Sequence, residues 1–205
     1  MSSGRLMSAN NHRQQCRQQA NHHAACVRHA IDPGDLTLTV DDGTAEASAG
    51  FATTTQALFL QQLTPPVFPA TLKAIRIYFP TGIEAIPLNT PVTLVAAMNP
   101  ASAVSLNRLS YRALVGTVRA QGQWVEFTLN QPLTLTAQEP GDFVVGPSTE
   151  SGPGLKPVAI DMSSAPAGRS YVSTDDGATV QPVSSALEVN GNCLIRAVVA
   201  ISGGT

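Results

Sequence analysis

From Leu36 onward the chain changes to a period of two. LTLTV (36–40) alternates apolar and polar residues, and PLTLTA (132–137) does so again. Such a period puts successive side chains on opposite faces of an extended strand, whereas a helix needs a repeat of 3.6. Further runs of strand length are ALFLQQL (57–63), LKAIRIYF (72–79), PVTLVAAM (91–98), LSYRALVGTVRA (109–120) and QWVEFTLN (123–130). DFVVGPS (142–148), KPVAIDM (156–162), RSYVST (169–174) and CLIRAVVAIS (193–202) complete the set. Turn residues separate them. Asn99-Pro100 closes one run, and Gln121-Gly122 reads as a hairpin turn between 109–120 and 123–130. No helical pattern of about 10–15 residues alternates with the strands, which disfavours a parallel α/β sheet. The expected fold is all-β: an antiparallel two-sheet sandwich of jelly-roll or immunoglobulin-like type.

Alternation also assigns faces. Leu72, Ala74, Arg76 and Tyr78 are expected on one face of their strand, and Lys73, Ile75, Ile77 and Phe79 on the other. In the strand of Trp124, the core face is Val125, Phe127 and Leu129. Trp124, Glu126 and Thr128 then point the opposite way.

Residues 1–34 differ from the rest. NNHRQQCRQQANHHAACVRH has no apolar stripe to dock, so 1–34 reads as a disordered polar tail, closed by the DPGD turn, and 35–205 as the sandwich domain. The net charge of −2 offers no basic excess, so nucleic acid is not an expected partner. No apolar run approaches the ~20 residues that span a bilayer, so membrane insertion is not expected. The first 30 residues lack the apolar stretch of a signal peptide. The chain as written is expected to be cytoplasmic or part of a longer exported protein. Its three cysteines, Cys16, Cys26 and Cys193, make no disulfide framework, and Cys193 reads as a reduced core residue.

Several short signatures occur in a suggestive order. Val40-Asp41-Asp42-Gly43 is followed by QALFLQQL, FPATLKAIRIYF, QWVEFTL, PLTLT, GDFVVG, AIDM, GRSYV and IRAVV. This order, over about 36–202, resembles the jelly-roll or immunoglobulin-like accessory modules of large exported bacterial proteins. Those modules stand beside peptidase, adhesion or sorting domains. The resemblance implies a non-catalytic, extracellular or cell-surface module serving adhesion, carbohydrate or protein binding, or spacing. Its implied partners are a glycan or a cell-surface protein, and the neighbouring domains of a larger chain. Residues 1–34 have no counterpart in it. The alternative is a structural protein that self-assembles into an oligomer or fibre through edge strands or the tail.

Catalytic patterns are missing. All four histidines (His12, His22, His23, His29) lie in the tail, so the body has none for a Ser-His-Asp or Cys-His site. The acids are scattered, with no pair marked out for glycoside hydrolysis. An enzyme is therefore not expected. The tail offers Cys26-x-x-His29 but no compact zinc spacing. Calcium is the better metal expectation. Asp41-Asp42-Gly43 and Asp175-Asp176-Gly177 are acidic turns and Asp161 ends a strand, while calcium takes about 6–8 oxygens. The same D-D-G tripeptides are also favoured simply as turns. For ligand binding, Trp124 is the candidate stacking platform, joined by Tyr78 and Tyr111 if their strands adjoin. The competing reading buries Trp124 under a loop. Arg169 and Tyr171 are candidates for a polar pocket near Asp161, or else Arg169 pairs with Asp161 across neighbouring strands.

Overall fold

The computed structural model describes residues 34–99, 111–136 and 141–201. The expected tail, apart from Gly34, lies outside the described residues. The strands are β1 (Asp35–Leu38), β2 (Ala47–Ala49), β3 (Thr55–Leu63), β4 (Ala70–Phe79), β5 (Pro91–Asn99), β6 (Tyr111–Thr117) and β7 (Gln123–Leu135). They continue with β8 (Asp142–Ser151), β9 (Val158–Asp161), β10 (Ser170–Ser173), β11 (Gln181–Pro182), β12 (Asn192–Cys193) and β13 (Ile195–Ile201). A single helical turn, α1 (Val183–Ala186), follows β11.

Two main sheets form, in the orders β1-β13-β4-β7 and β11-β10-β3-β8-β5-β6, with a small third sheet β12-β9-β2. Every pairing among the described residues is antiparallel. Setting aside β2 and β9–β12 leaves eight strands. Numbered in chain order, these read 1-8-3-6 in one sheet and 2-7-4-5 in the other. That is the order of a jelly roll, which separates the two sandwich types the sequence allowed.

The inner faces share one core. Ile75 and Ile77 of β4, Phe127 of β7 and Ile195 of β13 pack in one cluster with Phe59 of β3 and Phe143 of β8. Phe79 and Phe127 meet edge-on at 6.1 Å, a favoured aromatic geometry. Val125, Phe127 and Leu129 face inward as their alternation predicts.

Alternation fails in β4. Leu72 lies in the core with Ile75 and Ile77, not on the face of Arg76. The register slips between Leu72 and Ala74 against both β7 and β13. Against β13, Lys73 is the extra residue of a bulge, whereas against β7 the surplus is residues 129–132 of β7; an extra residue exchanges the two faces beyond it. The expected hairpin at Gln121-Gly122 is also not one. β6 pairs with β5, and β7 with β4, so the chain changes sheets there. Periodicity reports which face is buried and is silent about which strand lies alongside.

β3 is apolar on both faces for a reason. Leu58 and Leu60 point away from the main core into a second cluster with Val95, Ala97 and Val144. Tyr171 and Val180 pack against that cluster. Arg112 of β6 pairs with Asp176, just past β10, although β3, β8 and β5 lie between those strands. The segment after β10 therefore turns back across the outer face of the sheet.

Candidate functional site

The side chains that chemistry would single out fall in four places. The first is the outer face of the four-stranded sheet. Trp124 lies beside Tyr78, their rings edge-on at 5.6 Å. Tyr111 is on the other sheet and does not join them. The Arg196 guanidinium carbon is 4.2 Å from the centre of the indole, and that of Arg76 5.9 Å. Arg196 also holds Asp41, with Nε donating to Oδ1 at 3.0 Å and Oδ2 at 3.2 Å. Trp124 is half-buried in this stack. Arg196 went unrecognised at the sequence level because its strand shares no contiguous segment with β7.

The second place is the loop end near β9. Asp161 is fully buried and accepts hydrogen bonds from the N–H groups of Asp42 (3.1 Å), Ser163 (3.0 Å) and Ser164 (2.9 Å). Burial alone would raise its pKa. The hydroxyl and N–H of Ser164, with Asp42 and Ser163, outweigh that and lower it to about 2. The Ser163 hydroxyl lies 2.9 Å from Asp42, 3.2 Å from Glu46 and 3.1 Å from Asp161. One hydroxyl carries one proton, so it serves these acceptors by turns. The acceptors in turn fasten residues 162–164 to the 41–46 loop. Asp175 and Asp176 lie after β10, outside this group. The five aspartates considered for calcium thus do not form one set. Among the described residues, no three His, Cys, Asp or Glu side chains are grouped so as to hold a metal ion.

The third place is the end of β3. Arg169 does not pair with Asp161. Its guanidinium donates to Asp142 at 2.8 Å and to Thr64 at 2.9 Å. The reason is topological: β9, which Asp161 ends, belongs to the small third sheet, whereas Arg169 enters β10 beside β3, with β8 on the far side of β3. Tyr171 donates to the Gly168 carbonyl at 3.1 Å and packs on the second apolar cluster. Trp124 and the Arg169–Tyr171 pair therefore lie on different sheets.

The fourth place is a pocket of about 240 Å³ beside β10. Phe51, Val172 and Ala186 form its apolar lining. Ser173, Thr174, Asp175, Thr179 and Gln181 form its polar lining. The D-D-G turn shapes it. Asp175 accepts from Ser173 Oγ at 2.8 Å and from the Thr179 N–H at 2.8 Å. Gly177 N–H donates to Ser173 Oγ at 2.8 Å, with Gly177 at φ 92° where a side chain would be strained. Hydrogen bonds from Thr179 and Ser173 hold the Asp175 carboxyl below the ordinary carboxylate range. The acidic turn was visible in the sequence. Phe51 was not, because it reaches the pocket from the loop before β3.

Cys193 is sealed in the main core, where burial pushes its thiol up to about 12. No helix among the described residues is long and apolar enough to cross a membrane. Compared with known proteins, the chain matches no family model, no curated protein and no solved structure.

Proposed function

We propose that the chain is a non-catalytic accessory module of an exported bacterial protein, acting by binding or adhesion at the cell surface. One observation carries this reading: the groups that could do chemistry are taken up by the framework. Asp41 holds Arg196, Asp161 fastens a loop, Arg169 is paired with Asp142, and the Cys193 thiol is buried. The signature order over 36–202 supplies the exported context. Self-assembly through edges has less support. β1 and β11 are short, and β11 carries Pro182, features that blunt an edge. The longer edges β6 and β7 are tied together, with the Asn130 N–H donating to Tyr111 Oη at 3.2 Å.

The test has two arms. Antibody to the chain should label intact producing cells, and external protease should remove the label. The purified chain should bind surface material without turning over ester, peptide or glycoside substrates. Label found only after lysis, or turnover lost on a point substitution, would overturn the proposal.

A further inference from the structure

We propose that the pocket beside β10 binds one neutral sugar ring. This rests on the reading of the chain as a surface-binding module and names its ligand class. Size comes first. Pockets for drug-sized molecules run about 300–1,000 Å³, and this one is about 240 Å³, room for a single ring. Composition comes second. A sugar presents an apolar face of C–H groups and a rim of hydroxyls that both donate and accept. Phe51 and Val172 offer the apolar contact, while Thr174, Asp175 and Gln181 offer the polar one.

Charge narrows the class. Asp175 stays ionised, since its hydrogen bonds lower its pKa. A carboxylate accepts from sugar hydroxyls and repels phosphate, sulfate or uronate groups. Among the described residues, no Lys or Arg lines the pocket to offset it.

Preorganisation comes last. Ser173, Thr179 and Gly177 fix the Asp175 turn from within, and Arg112 fixes it from across the sheet through Asp176. The Asp175 carboxylate is thus in place before a ligand arrives, which lowers the ordering cost of binding. The side chains of Thr174 and Gln181 make no hydrogen bond among the described residues, so both are available to a ligand. Trp124 is the less suitable platform because Arg196 already lies over its ring.

The probes are the methyl glycosides of glucose, galactose, mannose and N-acetylglucosamine, titrated into the full-length chain and followed by amide resonances. At least one should bind saturably, with shifts centred on Phe51, Thr174, Thr179 and Gln181. Thr174→Val with Gln181→Ala should weaken it about tenfold or more, the scale of one or two lost hydrogen bonds. Both sites are on the surface, so the fold should persist, and Trp124→Ala should leave affinity unchanged. No saturable binding, binding insensitive to the double variant, or preference for glucose 6-phosphate at the same residues would overturn the sugar site. If the sugar site fails while the chain still labels intact cells, the surface-module reading stands. If the pocket binds sugar but label appears only after lysis, that reading fails and the pocket remains.

Discussion

The guanidinium of Arg196 lies over the ring of Trp124, its carbon 4.2 Å from the ring centre. Directly opposite Arg196 in the sheet stands Arg76, and like charges so placed repel. The indole faces both cations, Asp41 neutralises Arg196, and Glu126 stands 3.8 Å from Arg76. Trp124 thus helps hold two arginines side by side. Removing it loses two cation–π contacts, each about 0.5–2 kcal/mol, and an edge-on aromatic pair of about 0.5–1.5 kcal/mol. Trp124→Ala should therefore lower unfolding stability by roughly 2–3 kcal/mol in urea titrations. A loss below about 0.5 kcal/mol, the range of ordinary surface substitutions, would show that the stack is incidental.

Arg196→Ala should cost more, about 3–5 kcal/mol, because it strands the Asp41 carboxylate in a buried site. The Asp41 side chain has no exposed surface. A variant lacking both charges, Asp41→Asn with Arg196→Met, should be more stable than Arg196→Ala alone. Urea midpoints of the three proteins decide this, and a double variant no more stable than Arg196→Ala would rule out the stranded charge as the cause.

The sequence carried most of the strands and the inward face of β7, because a period of two is a local property; β2 and β11 are too short to show it, and the runs at 123–130 and 132–137 form the single strand β7. The sequence could not carry partners. Trp124 and Arg196 are 72 positions apart and meet only because β4 pairs with both of their strands. Arg169 shows the same limit. Its nearness to Asp161 in sequence suggested a pair, yet β10 and β9 belong to different sheets, and Asp142 is the partner. Lys73 shows another: a bulge residue looks like any other member of an alternating strand.

At Gly146, β8 passes close against the backbone of β3. A Cβ built there would lie 1.8 Å from the Phe59 carbonyl oxygen, and backbone cannot step aside as a flexible side chain can. Glycine within a strand often signals such an approach. Gly146→Ala should destabilise by several kcal/mol or prevent soluble expression. Gly154→Ala is the control for handling, since no atom lies within 4 Å of its Cβ position, although its φ of +71° will strain it mildly. Near-equal melting temperatures for the two variants would contradict the close approach.

Cys193 should be inert in the folded protein. The thiolate is the reactive form, and burial places the thiol at about 12, so almost none is ionised at neutral pH. Iodoacetamide followed by peptide mapping should leave Cys193 unmodified in buffer and modify it in guanidinium. Modification in buffer at the rate of a free thiol would mean that the core opens there.

Acid should unfold the chain partly through Asp161. Its folded pKa is about 2 against an ordinary 3.8, so the folded state binds this proton less readily than the unfolded state. The resulting stabilisation is complete above the ordinary value and is lost as pH falls from about 4 towards 2. Asp42 and Glu46 act in the same direction, both lowered first by the Thr44 hydroxyl. Asp161→Asn removes the titrating group and sets an amide N–H₂ against donors from Ser164 and Asp42. The variant should be less stable at neutral pH, and its deficit should shrink as pH approaches 2. Urea titrations of both proteins at steps across that range test this. A deficit that stays constant throughout would mean that Asp161 fastens its loop without contributing to acid sensitivity.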